Sequence, residues 1–195
     1  MRNPQRRQHL VDAALQVLAR EGSRGLSHRA VDAEAGLPQG TCVNYYRSRD
    51  DLYGAMGERI FERLLPSDRE LRQSAEKPAS RARYVELMHE LMERVLEQPE
   101  MQIALWELRL ESTRRPELRE ALSGTLRDAL AVDLDFHHRA GLPGGEDEVV
   151  MLHLAFEGLI LNLITLPEVL EVGRRQGLVE ELVLRLIPPG GDDAS

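Results

Sequence analysis

The 195-residue chain has one cysteine, Cys42, and one lysine, Lys77. A lone cysteine excludes an internal disulfide and with it the disulfide scaffolds of small secreted domains. Aromatic residues are scarce, and no run of alternating polar and apolar residues suggests a strand. The most apolar stretch, residues 149–166, is broken by His153, Glu157 and Asn162, the pattern of a buried helix and not of a membrane span. At the start, MRNPQRRQHLVDA carries charges every few residues where a signal peptide needs an apolar core. The arginine pair Arg6-Arg7 is followed by Asp12, Arg20 and Glu21, which interrupt the apolar run an export signal requires. These absences predict a cytoplasmic protein that does not associate with membranes.

What is present is charge, unevenly spread. The formal net charge is -8, yet residues 1–49 hold eight arginines against Asp12, Glu21, Asp32 and Glu34, so a basic head precedes an acidic body. Neutralising phosphate supplies much of the affinity for nucleic acid, so a local basic surface matters more than the total. The excess of arginine over lysine reads as a compositional bias and not as a site.

Helical periodicity accounts for most of the chain. Leu10, Val11, Ala14, Leu15 and Leu18 form one stripe between Pro4 and Glu21, ended by Gly22 and Gly25. Ser27 is placed to cap a second helix through Ala35, and Gly36-Leu37-Pro38 separates it from a third segment, Gln39 to Tyr45. Ser48, Asp50 and Asp51 suit the start of a fourth helix that runs to about Leu65 and stops at Pro66. Ser67 to Glu70 has capping-box spacing and predicts a short helix before a loop. Further helices follow from Tyr84 to Leu96, from Met101 to Leu110 and from Pro116; the loop Gly141–Gly145 then precedes helices Glu146–Leu166 and Gly177–Ile187. The tail from 188 to 195 is expected to be disordered. The expected fold is all-α.

Function is concentrated in GLPQGTCVNYYRSRDDL, residues 36–52. Cys42 and Tyr46, four apart, share the inward face of the third segment, while Gln39, Gly40, Val43 and Asn44 fall on the opposite face, where a major groove accepts a helix. Gln39 and Asn44 can pair with adenine, Val43 can touch a thymine methyl, and Gly40 allows close backbone approach. Thr41, Tyr45 and Arg49 at the flanks, with Arg29 near the start of the second helix, are suited to phosphates.

The order Ala35-Gly36-Leu37, Gly40-Thr41, Tyr45-Tyr46, Ser48-Arg49-Asp50 and Leu52 resembles the tetracycline-repressor (TetR/AcrR) family of bacterial transcriptional regulators, whose corresponding run is A-G-V-S-x-G-T-x-Y-x-H-F-x-S-K-E-x-L. Pro38 stands in place of the usual serine or threonine cap, a loss of about 1 kcal/mol of capping. Val43 occupies a position where the family often has tyrosine, and Tyr45 one where it has histidine. The resemblance implies a helix-turn-helix DNA-binding domain at 1–49, a connecting helix at 50–66, and a helical effector-binding and dimerisation domain at 67–187. It also implies a homodimer that binds a palindromic double-stranded operator, represses transcription, and is released by a small hydrophobic or amphipathic effector. Neither an enzymatic activity nor a cofactor or metal is expected.

Within the larger domain, Met88, Met92, Trp106 and Met151 can be read as core or as a pocket lining, and Arg109, His153 and Glu157 as polar anchors for an effector. A helix as apolar as Glu146–Leu166 needs cover on every side, which predicts a dimer seam formed by Leu152, Phe156, Leu159 and Leu163 with Leu178, Leu182 and Leu186. Cys42, placed inward, reads as a small core residue and not as a redox switch. Glu86 and His89 have the spacing of a di-iron motif, but a second copy is missing. His137-His138 reads as an exposed helix end. Two other classes compete with the regulator: a ferritin-like helical enzyme, which lacks a second metal cluster, and a ligand-binding or interaction module without DNA binding, which would gain from an acidic or truncated outward face.

Overall fold

The computed structural model describes residues 3–64 and 77–189. The helix and loop expected at 67–80 fall largely outside these residues, as does most of the tail. Among the described residues the chain is helical, with no strand: α1 Pro4–Gly25, α2 His28–Glu34, α3 Thr41–Tyr45, α4 Arg49–Leu64, α5 Arg81–Glu97, α6 Pro99–Ser112, α7 Pro116–Arg139, α8 Glu146–Thr165, a 3-10 turn Pro167–Val169, and α9 Val172–Leu186.

Local chemistry sets most of the boundaries. The Asn3 side chain accepts hydrogen bonds from the Gln5 and Arg6 amides, with Pro4 in the first turn of α1. Gly22, at φ 67°, breaks the regular course of α1 three residues before its end. Ser27 caps α2 through the Ala30 amide, and Ser80 caps α5 through the Arg83 amide. Ser48 and Asp51 exchange hydrogen bonds across the first turn of α4. α9 starts five residues before Gly177: a glycine inside a helix costs about 1 kcal/mol, too little to end one.

Two compact units result, and they do not follow the chain in order. The first holds α1–α4, α6 and α7 as far as Ala129; the second holds α5, α7 from Leu130, α8 and α9. α6 joins the first unit because Met101, Ala104, Leu105 and Leu108 bury one side of it in the core built on α1 and α4. That core also takes in Leu15, Leu18, Val31, Leu52 and Met56. Arg59 of α4 forks onto the Asp12 carboxylate of α1 at 2.8 and 3.1 Å.

In the second unit α5, α8 and α9 pack together. His137 is buried there, and not exposed as the sequence suggested. Its Nε2 lies 3.0 Å from the Gly144 carbonyl and its ring 5.7 Å from that of Tyr84, so it pins the loop that follows α7. His138 alone is exposed. α8 is long and apolar enough by composition to cross a bilayer, but Val149, Leu152, Phe156, Leu159 and Ile160 make one side of it part of the core.

Candidate nucleic-acid interface and effector-binding region

α2, a tight turn and α3 form the helix-turn-helix. Cys42 and Tyr46 are fully buried in its core, whereas Val43 is 43% exposed and Asn44 is exposed beside it. α3 begins at Thr41, so Gln39 lies exposed in the preceding turn and not on the helix. Gly40 has φ 91°, a left-handed conformation that side chains resist, and it places the chain to enter α3. The Asn44 amide donates to the Gly40 carbonyl at 2.8 Å, and the Thr41 hydroxyl to the Pro38 carbonyl at 2.6 Å. Tyr45 is half-buried and packs against the core edge.

Tyr46 anchors α3 to α1: its hydroxyl donates to the Arg7 carbonyl, and the Arg7 guanidinium sits 5.3 Å from its ring centre. Burial beside Asp32 pushes the Cys42 thiol up to about 12 from its ordinary 9.0, so it stays protonated and unreactive in the fold.

The arginines divide into two groups. Arg29 and Arg47 are exposed. Arg49, given a phosphate in the sequence reading, instead turns inward: its guanidinium donates to the Ser23 carbonyl and, at 2.8 Å, to the Tyr53 hydroxyl, and it lies over the Tyr53 ring. Ser23 is the residue just past the break in α1. Its amide donates to Glu107 of α6 at 3.2 Å, and its hydroxyl lies 2.9 Å from that of Tyr53. Arg115 completes the cluster by binding Glu111 at 2.7 Å and Asp50 at 3.0 Å, and its hydrogen bond holds the Glu111 carboxyl below the usual carboxylate range.

The residues read as effector contacts are shared between the units. Trp106 and Arg109 belong to the first, and Met88, Met92, Met151, His153 and Glu157 to the second. Met92 is buried and Met88 half-buried, while Met151 is 46% exposed. His153 and Glu157 stand together on α8, 3.8 Å apart. Asp133 on α7, which sequence reasoning missed, is pushed up by burial against the opposing charges of His153 and Arg94.

Of the residues assigned to a dimer seam, Leu152, Phe156 and Leu159 are buried within the chain itself, and Leu163, Leu178, Leu182 and Leu186 are half-buried. The outer face of α8 carries instead Met151, Leu154, Gly158 and Leu161, with Leu154 61% and Leu161 44% exposed. These fall at i, i+3, i+7 and i+10, a single stripe about 15 Å long.

The fold matches solved structures over nearly the whole chain. A crystal structure of the multidrug binding protein EbrR with imidazole is 26% identical with TM-score 0.66, over 98% of this chain and 100% of that one. EbrR with ethidium is 26% identical with TM-score 0.62, over 94% and 99% of the two chains. A TetR-family protein from Streptomyces coelicolor A3 shares the fold at 23% identity, with TM-score 0.71 over 95% and 99%. No curated protein matches the chain.

Fold and helix-turn-helix together define the class of helical transcriptional regulators. Residues 79–189 match the model of the tetracycline repressor-like C-terminal domain, and the chain belongs to the TetR family of transcriptional regulators, a non-enzymatic family.

Proposed function

We propose that the protein is a cytoplasmic, homodimeric repressor that binds a palindromic operator through α3 and leaves it when a small amphipathic molecule occupies the C-terminal unit. The observation that carries this reading is the split of α3 into a buried face, Cys42 and Tyr46, and an offered face, Val43 and Asn44, with Gln39 exposed beside it. Gln39 and Asn44 read base edges; Val43 contacts a thymine methyl, with Gly40 letting the backbone come close. Thr41, Tyr45, Arg29 and Arg47 meet phosphates, and Arg49 braces the head from within.

The dimer forms through the exposed α8 stripe together with the half-buried leucines of α8 and α9, because an apolar stripe of this length on a soluble helix calls for cover. Binding of ethidium by EbrR, at 26% identity, supports an apolar cation as the effector, and Met88 and Met92 lie in the same unit as His153 and Glu157. Effector and operator are coupled reciprocally: a molecule releases DNA only in so far as it binds the released state more tightly.

Tetraphenylphosphonium, an apolar cation that does not intercalate, is a suitable probe. It should raise the melting temperature and lower operator affinity together. Stabilisation without any change in DNA affinity would refute the coupling.

A further inference from the structure

We infer that Asp32, on α2, is a positioning residue for DNA reading: it sets the recognition helix before DNA arrives. The inference rests on the DNA-binding function proposed above. α3 has five residues, far below the length at which a helix persists alone, and its cap residue, Gly40, has no side chain to satisfy the first amides. Asp32 supplies what the local sequence cannot. It is 2% exposed; its Oδ2 accepts the Gly40 amide and its Oδ1 the Cys42 amide, both at 2.7 Å.

With both oxygens engaged by amides two residues apart, the carboxylate fixes the start of α3 in position and in rotation about its axis. The same rotation decides where Val43 and Asn44 point. No cation pairs with Asp32 among the described residues, so backbone amides and the helix terminus hold its charge. That charge also answers the positive end of α3, which leaves phosphate attraction to the exposed arginines and base reading to α3.

The test uses the full chain carrying Asp32→Asn, which keeps the shape but turns one acceptor into a donor facing an amide, and Asp32→Ala. Hydrogen exchange at Gly40 and Cys42 should accelerate about tenfold or more while Leu15 and Leu18 of α1 stay protected. Measured well below each variant's melting temperature, affinity for the selected operator should fall about tenfold, with affinity and salt slope on scrambled DNA unchanged. A merely structural aspartate would lower affinity for both DNAs alike, and an unchanged operator-to-scrambled ratio in Asp32→Asn overturns the role of Asp32 alone. A wild-type chain that prefers no DNA sequence overturns the proposed function, and the specificity role of Asp32 falls with it.

Discussion

Arg49 and Arg47 stand two residues apart and should behave in opposite ways when replaced by alanine. Arg49 donates to the Ser23 carbonyl and the Tyr53 hydroxyl and lies 5.5 Å from the Tyr53 ring centre. A hydrogen bond to a charged group contributes about 1.5–3 kcal/mol and a cation-π contact about 0.5–1 kcal/mol. Water reaches the half-buried side chain and replaces part of this, and terms within one cluster do not add, so Arg49→Ala should cost about 3 kcal/mol. For a protein of this size that lowers the melting temperature by about 6–12 °C. Arg49 makes these contacts without DNA, so its loss should leave the salt dependence of DNA binding almost unaltered. Arg47, exposed, should do the reverse: Arg47→Ala leaves stability within about 0.5 kcal/mol and lowers the salt slope by about 0.9. Thermal melts by circular dichroism and salt titrations on one DNA give both quantities. An Arg49→Ala variant that melts like the wild type yet loses a unit of salt slope would refute the bracing role and restore Arg49 as a phosphate contact.

Asn44→Ala should cost about 1–3 kcal/mol on the operator and relax base choice at one position without changing the salt slope; equal losses on scrambled DNA would remove it as a base reader. Leu154→Arg, on the exposed stripe of α8, should yield monomers by sedimentation that bind operator poorly, and a wild-type monomer at micromolar concentration would contradict the seam. Cys42 should resist thiol reagents at pH 8 until the protein unfolds. Because its folded pKa is raised from 9.0 to about 12, the stability linked to its neutral form is complete below pH 9 and falls as pH rises through that interval, which alkaline melts would detect.

The faces of α3 were legible in the sequence because a buried cysteine and a buried tyrosine four apart leave only one side for Val43 and Asn44. What partners those residues was not legible. Asp32 reaches Gly40 and Cys42 across a turn between helices, and no periodicity marks such a cap. Arg49 meets Ser23, 26 residues away, only because α1 breaks at Gly22 and turns that carbonyl outward. The apolar character of α8 announced a helix needing cover, but a helix apolar nearly all round gives no sign of which side the subunit itself takes. Leu152, Phe156 and Leu159 turned inward, leaving Met151, Leu154 and Leu161 outside. In the same way α6 sits late in the chain yet packs with α1, since its buried methionine, alanine and leucines complete the first core.

The central claim, that this chain reads a two-fold DNA site through α3, is tested most directly by selection from random double-stranded DNA with the full-length wild-type protein. The account predicts enrichment of an inverted repeat whose half-sites lie about 34–36 Å apart or a multiple of that distance, with the preference at one position lost in Asn44→Ala. Recovery of no preferred sequence, or of a single site without two-fold symmetry, would contradict it.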